Sequence, residues 1–130
     1  MIFHLAIPSH DLEKSVEFYV HILECSLARK YNDRITLNFF NHQLVCHLDP
    51  NEVNLHEEVK IYPRHFGMTF TNREEYNSFL KKLIEKNINF YKKPFIRFEG
   101  MREEHSTFFL IDPSNNLLEF KFYNDIKMSY

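Results

Sequence analysis

Residues 106–123 read STFFLIDPSNNLLEFKFY, and this stretch predicts a β-hairpin. Bulky apolar residues at 108–111 predict one strand, and the alternating segment 117–122 predicts a second. The intervening DPSNN is typical of a turn, because Pro presets φ and Asp and Asn bond the local backbone. Successive side chains of a strand point to opposite faces, so Glu119 points to the face opposite the one that Leu118 and Phe120 share. A carboxylate in such a strand is costly to bury unless it is paired or bound to a metal, so we expect Glu119 to have a partner.

The composition excludes several classes of protein. A chain of 130 residues, 44% hydrophobic and 26% charged, is long enough to bury a core and is typical of one globular domain. The net charge of −2 gives no reason to expect nucleic acid or an anionic membrane as a partner. No apolar run approaches the ~20 residues of a membrane-spanning helix. Since no signal peptide is visible, we expect a cytoplasmic protein with Cys25 and Cys46 reduced.

The first half of the chain predicts one strand, one helix and three more strands. Residues 2–7 form the first strand, which Pro8 ends. Asp11 caps a helix whose apolar residues recur with a period near 3.6 until about residue 24. Three strands separated by Asn-containing turns follow at residues 26–31, 34–40 and 43–48.

The second half repeats this order after a polar connection, residues 49–63. Residues 64–70 predict a strand, and Thr71 with Glu74 predicts a capping box at the start of a second helix. The apolar stripe of that helix runs from Tyr76 to Ile84. The remaining predicted strands are residues 89–99, 107–111 and 117–122.

A shift of 61 residues places His4 on His65 and keeps strand, cap, helix and helix face in register. The chain therefore predicts two βαβββ modules at about residues 1–49 and 64–123, with a linker at 50–63 and a short tail. Each module is too small to bury its own sheet. We expect a single α+β domain, 1–130, in which the modules pair into a half-open mixed β-barrel with the helices outside.

Four polar residues fall on the strand faces opposite the apolar ones: His4, His47, His65 and Glu119. Two imidazoles and one carboxylate suit an octahedral metal with open positions, such as Fe(II) or Mn(II). Taken alone, a His on such a face is more often a core residue than a metal ligand. Glu119 has two alternative partners, Arg97 and Lys121, of which Lys121 is the less expected because it is only two residues away on the same strand.

Three segments carry a resemblance to the vicinal oxygen chelate superfamily: FHLAIPSHDLEKSVEFYVHILE (3–24), RHFGMTF (64–70) and FLIDPSNNLLEFK (109–121). The superfamily includes glyoxalase I, extradiol dioxygenases, fosfomycin-resistance thiol transferases and bleomycin-binding proteins. The resemblance implies paired βαβββ modules and a divalent metal, Fe(II) or Mn(II), with Zn, Ni or Mg as alternatives. It places the metal ligands at His4, His65 and Glu119.

Among these branches the chain is most similar to small extradiol-dioxygenase-like proteins. That likeness implies a metal-dependent enzyme that chelates a vicinal diol or enolic substrate, with His47 as the catalytic acid or base or as a lining residue. Arg97 and His105 are the expected substrate-binding residues. Phe109 stands where many extradiol dioxygenases have Tyr.

Three alternatives to the dioxygenase stay open: a glyoxalase-type lyase, a fosfomycin-resistance-type thiol transferase and a non-enzymatic drug-binding protein. We also expect a small-molecule substrate and a homodimer. The linker is long enough for the modules to pair within one chain or to be exchanged between two chains.

Overall fold

The computed structural model describes residues 1–130, which divide into two units. The first unit comprises residues 1–59 and 112–116, and the second comprises residues 60–111 and 117–130. Each unit contains one four-stranded mixed sheet and few helices, so the predicted α+β class is confirmed. None of the helices combines the length and apolar character that crossing a bilayer requires.

The sheet of the first unit has the strand order β1-β4-β3-β2. Strand β1 is parallel to β4, and the other neighbours are antiparallel. The strands are β1 (His4–Ser9), β2 (Ser26–Lys30), β3 (Arg34–Phe39) and β4 (His42–Leu48). Phe40 and Asn41 join β3 to β4 with φ values of 50° and 68°, as a two-residue hairpin turn requires.

The helix of the first unit changes its winding part-way along. Helix α1 (Leu12–Val16) is capped by Asp11, whose side chain accepts hydrogen bonds from the N–H groups of Glu13 and Lys14. The chain continues as a π-helix, Glu17–Ile22, which buries Phe18 and Tyr19. The spacing of apolar residues predicted one helix to about residue 24 and did not distinguish these two windings.

Pro8 does not end the first strand, and that expectation is wrong. Strand β1 runs to Ser9, and Pro8 lies opposite His47 in the register. The Asp49 N–H donates to the Ser9 carbonyl at 2.8 Å. Bonding residues alternate along a strand, so the nitrogen of Pro8 points away from β4 and its missing N–H costs no hydrogen bond to that strand.

The sheet of the second unit repeats the same arrangement, with the order β5-β8-β7-β6 and β5 parallel to β8. The strands are β5 (Phe66–Phe70), β6 (Lys92–Arg97), β7 (His105–Ile111) and β8 (Leu117–Tyr123). Aromatic rings of Phe70, Tyr76, Phe79, Phe108 and Phe120 pack against one another and form much of this unit's core.

Helix α2 (Arg73–Glu85) begins one residue later than the capping box predicted. Asn72 is the N-cap, and its side-chain oxygen accepts from the N–H groups of Glu74 and Glu75 at 2.7 and 3.2 Å. Thr and Asn both cap helices well, so the TN dipeptide at 71–72 offered two adjacent candidates. Tyr76 and Leu83 are buried as predicted, whereas Ile84 is 55% exposed.

Candidate metal centre

Glu119 lies in β8 of the second unit and is 5% exposed. Its Oε1 atom accepts a hydrogen bond from the Thr107 hydroxyl at 2.9 Å. Its Oε2 atom is 3.4 Å from His65 Nε2 and 3.1 Å from Lys121 Nζ. The buried carboxylate therefore has three polar neighbours within one unit, and two of them share a single oxygen.

His65 directly precedes β5 and points its Nε2 atom at this carboxylate. Its Nδ1 atom is 2.8 Å from the carbonyl oxygen of Ile61. A carbonyl only accepts, so Nδ1 carries a proton and donates, which leaves Nε2 as the nitrogen that faces Glu119. The ring also packs edge-on against Phe109, with centroids 5.6 Å apart. These contacts fix the orientation of the His65 ring.

The expectation that Lys121 is a poor partner for Glu119 is wrong. The two side chains are two residues apart on one strand and therefore on the same face of the sheet. The long lysine stem brings Nζ to 3.1 Å from Oε2. Arg97, the other alternative, has its guanidinium carbon 5.3 Å from the Phe98 ring and 5.9 Å from the Tyr62 ring.

Two residues that support Glu119 were not identified from the sequence, Thr107 and Gly67. Thr107 is fully buried in β7 and lies opposite Lys121 in the register. Gly67 pairs with Glu119 across β5 and β8, and a Cβ atom at Gly67 would collide with the Glu119 carbonyl oxygen. The scarcity of glycine, two residues in the chain, was the signal that could have marked Gly67.

The remaining predicted ligand and the predicted acid or base belong to the first unit. His4 begins β1, is exposed, and has its Nδ1 atom 2.6 Å from the Gln43 side-chain oxygen. That amide oxygen accepts, so the Nε2 atom of His4 is left for another partner. His47 is exposed near the end of β4. Within neither unit do three His, Cys, Asp or Glu side chains converge as a set of metal ligands.

The two predicted substrate-binding residues are opposite each other in the second unit, Arg97 in β6 and His105 in β7. His105 is 4% exposed, and its ring lies 4.5 Å from that of Tyr123. His105 is the first residue of β7 and is buried there. By strand parity, Tyr123 shares the face of Glu119 and Lys121, and the register places His105 and Arg97 in the row of Tyr123.

The DPSNN turn carries a second buried carboxylate, Asp112, which is counted with the first unit. The Tyr19 hydroxyl donates to Asp112 at 2.8 Å, and the backbone N–H groups of Ser114 and Asn116 donate to it at 2.8 Å each. Burial raises the pKa of Asp112 above its usual 3.8, and these hydrogen bonds act in the opposite direction. Its contacts hold the turn together and tie it to Tyr19 of the π-helix, so Asp112 has a structural role.

A model of the glyoxalase/bleomycin resistance protein/dioxygenase superfamily matches residues 1–120. The chain belongs to this superfamily. A glyoxalase/bleomycin resistance protein/dioxygenase from Alicyclobacillus acidocaldarius is 54% identical, with a TM-score of 0.94 over 100% of this chain and 96% of that chain. No curated protein gives a significant match.

Two more distant superfamily structures share the fold. A lactoylglutathione lyase from Agrobacterium tumefaciens is 16% identical, with a TM-score of 0.68 over 94% of this chain and 92% of that chain. A fosfomycin resistance protein from Listeria monocytogenes is 14% identical, with a TM-score of 0.71 over 100% of this chain and 98% of that chain. The resemblance to the vicinal oxygen chelate superfamily is thus confirmed, and the reaction within the superfamily is a separate question.

Proposed function

We propose that the protein is a metal-dependent enzyme of extradiol-dioxygenase type, which chelates a vicinal diol or enolic substrate at a divalent cation held by His65 and Glu119. The observation that supports the metal is the 3.4 Å separation between His65 Nε2 and Glu119 Oε2. One imidazole nitrogen and one carboxylate oxygen are the donors that Fe(II) and Mn(II) accept, with Zn, Ni or Mg as alternatives.

The surroundings of both donors fit this role. A ligating His commonly donates its other N–H to a carbonyl, as His65 donates Nδ1–H to Ile61, because this fixes the ring and increases its basicity. The Thr107 hydroxyl holds the second oxygen of Glu119 in the same way. His4 is the proposed third ligand, a role that rests on the superfamily resemblance.

A bound divalent cation would act as a Lewis acid, polarising the chelated oxygens of the substrate and favouring their ionisation. We assign the proton transfer to His47, because imidazole exchanges protons near neutral pH and this side chain is exposed to water. Arg97 would bind an anionic group of the substrate, with His105 beside it in the register. The co-substrate of this reaction type is O₂.

Metal analysis of anaerobically purified protein tests the proposal. We expect about one divalent metal per chain in the wild type, and loss of most of it in His65→Ala and in Glu119→Gln. His56→Ala is the matched control, because His56 is an exposed histidine of the linker and should leave the metal content unchanged. Circular dichroism confirms that each variant is folded. Stoichiometric metal in both His65→Ala and Glu119→Gln would refute the proposed centre.

The reaction type needs a separate measurement. A dioxygenase consumes O₂ together with the diol, whereas a lyase or transferase of this superfamily turns over without O₂. With a panel of catechols, we expect O₂ consumption that depends on the added metal. In His47→Ala, the metal should be retained while turnover falls by about two to four orders of magnitude. Loss of metal from that variant would instead make His47 a ligand.

A further inference from the structure

The Oε2 atom of Glu119 faces two groups at once, which are His65 Nε2 at 3.4 Å and the Lys121 ammonium at 3.1 Å. The Lys121 side chain is 27% exposed, whereas Glu119 is 5% exposed. The second contact of this ammonium is the ring of Tyr123, with Nζ 5.6 Å from the ring centroid. Lys121 thus has an alternative partner on the same strand face.

A buried carboxylate needs a countercharge, and in the metal-free protein Lys121 supplies it. A divalent cation that coordinates Oε2 would withdraw charge from that oxygen and repel the ammonium beside it. The two cations therefore compete for one oxygen. Since the Lys121 side chain is partly exposed, its ammonium can leave Glu119 and turn toward solvent.

We propose that Lys121 is a positioning residue that occupies Glu119 in the metal-free protein and is displaced when a divalent metal binds. This inference rests on the proposed function, in which Glu119 is a metal ligand. Lys121 then lowers the affinity for metal below the value that the ligands alone would give. Its ammonium also restrains the orientation of the Glu119 carboxylate in the metal-free protein. The displaced ammonium retains the Tyr123 ring as a partner.

Zinc titrations of metal-free protein against a chromophoric chelator test this inference. We expect Lys121→Met to bind Zn²⁺ roughly fivefold tighter than wild type, because a competing ion pair of modest strength is removed. Lys81→Met is the matched control, because it removes the lysine of an exposed ion pair in α2, in which Lys81 Nζ lies 3.8 Å from Glu85 Oε1. We expect its affinity to stay within about twofold of wild type, since screened charges at a distance contribute little.

A second readout does not depend on bound metal. Metal-free Lys121→Met should unfold at a lower temperature than metal-free wild type, and saturating Zn²⁺ should remove most of that difference. Lys121→Gln, which keeps a hydrogen-bond donor without the charge, provides the same comparison if the Met variant fails to fold.

The outcomes separate this inference from the proposed function. If Glu119→Gln abolishes zinc binding and Lys121→Met binds zinc no tighter than Lys81→Met, the competition is refuted and the proposed metal centre is retained. If Lys121→Met loses affinity, Lys121 supports the bound metal instead, and the inference is again wrong. If Glu119→Gln binds zinc as tightly as wild type does, the proposed metal centre and the proposed competition are both refuted.

Discussion

Glu119 illustrates how much one buried charge depends on its neighbours. Its two oxygens contact the Thr107 hydroxyl, the His65 imidazole and the Lys121 ammonium. Each contact offsets part of the cost of taking the carboxylate out of water. Removing one neighbour should therefore lower the free energy of unfolding by more than the loss of an average surface hydrogen bond does, because the Glu119 carboxylate stays buried.

The variant Thr107→Val tests this expectation, because valine has nearly the same shape as threonine. The variant removes the hydroxyl that donates to Glu119 and leaves one buried carboxylate oxygen without that donor. We expect the free energy of unfolding to fall by about 1–3 kcal/mol. Urea unfolding with and without Zn²⁺ measures this. Thr36→Val is the control, because Thr36 is buried in β3 of the other unit. Equal losses in both variants would show that the Glu119 contact contributes nothing specific.

The buried thiol of Cys25 should make the free energy of unfolding fall at alkaline pH. Burial raises the pKa of the Cys25 thiol from 9.0 to about 12. The folded protein thus keeps a proton that the unfolded chain loses, so this stabilisation is fully present below pH 9 and is lost as pH rises toward 12. We expect the free energy of unfolding of wild type to fall more steeply from pH 8 to pH 10 than that of Cys25→Ala. Parallel curves from urea titrations would contradict this.

At the scale of elements, the pairing of β5 with β8 depends on Gly67. A Cβ atom there would collide with the Glu119 carbonyl oxygen and would also lie 2.6 Å from its carbonyl carbon. Both atoms belong to the backbone, so the two strands must separate to admit it. The strand pair that carries Glu119 is therefore specified by the absence of a side chain opposite it.

Gly67→Ala should lower the free energy of unfolding by about 3 kcal/mol, at the upper end for overpacking, because backbone rather than a side chain must move. It should also weaken zinc binding, since Glu119 moves with β8. Gly100→Ala is the comparison: nothing lies near its Cβ position, and its φ of 76° costs about 1 kcal/mol of strain. A Gly67→Ala protein as stable as Gly100→Ala would refute the close approach of β5 and β8.

The N-terminus of helix α2 shows which of two adjacent residues is the N-cap. Asn72 accepts two backbone hydrogen bonds at the helix N-terminus, whereas Thr71, the cap predicted from sequence, lies outside the helix. Asn72→Ala should therefore reduce the free energy of unfolding by about 1 kcal/mol, and Thr71→Ala should reduce it by less. Thermal unfolding of the two variants decides between the two caps, and a larger loss for Thr71→Ala would favour the capping box.

At the scale of the whole molecule, the two units have the same strand order, β1-β4-β3-β2 and β5-β8-β7-β6. The chain thus contains two similar modules, and single-domain proteins of this superfamily are often dimeric. We predict a homodimer with two metal sites. Analytical ultracentrifugation over a wide concentration range tests this, and a monomer at every concentration would contradict it.

A mixing experiment tests whether the ligand set comes from one chain or two. His4 belongs to the first unit, and Glu119 belongs to the second. If two chains contribute ligands to each site, mixing His4→Ala with Glu119→Ala protein after unfolding and refolding should restore one intact metal site per hybrid dimer. If each chain supplies its own set, no mixture should recover metal, because every chain carries a broken site. Metal content of the refolded mixture is the measurement.

Local patterns in the sequence determined the α+β class, the internal repeat, most strands and the turn at DPSNN. These features depend on hydrophobic period and turn chemistry, which act over a few residues. The same patterns placed Glu119 and His65 on polar faces and indicated that Glu119 needs a partner. His4 was assigned as a ligand from its strand face, its equivalence to His65 in the repeat and the superfamily resemblance, and this role stays a prediction.

The tertiary structure decided which groups meet. Thr107 and Gly67 contact Glu119 through pairing across three strands, and Lys121 reaches it from two residues along the same strand. Pro8 lies inside β1 because its nitrogen faces away from β4, and His105 is buried beside Tyr123. These outcomes depend on strand register and packing between distant residues, and a one-residue change of register would reverse every face. No pattern within a short window carries that information.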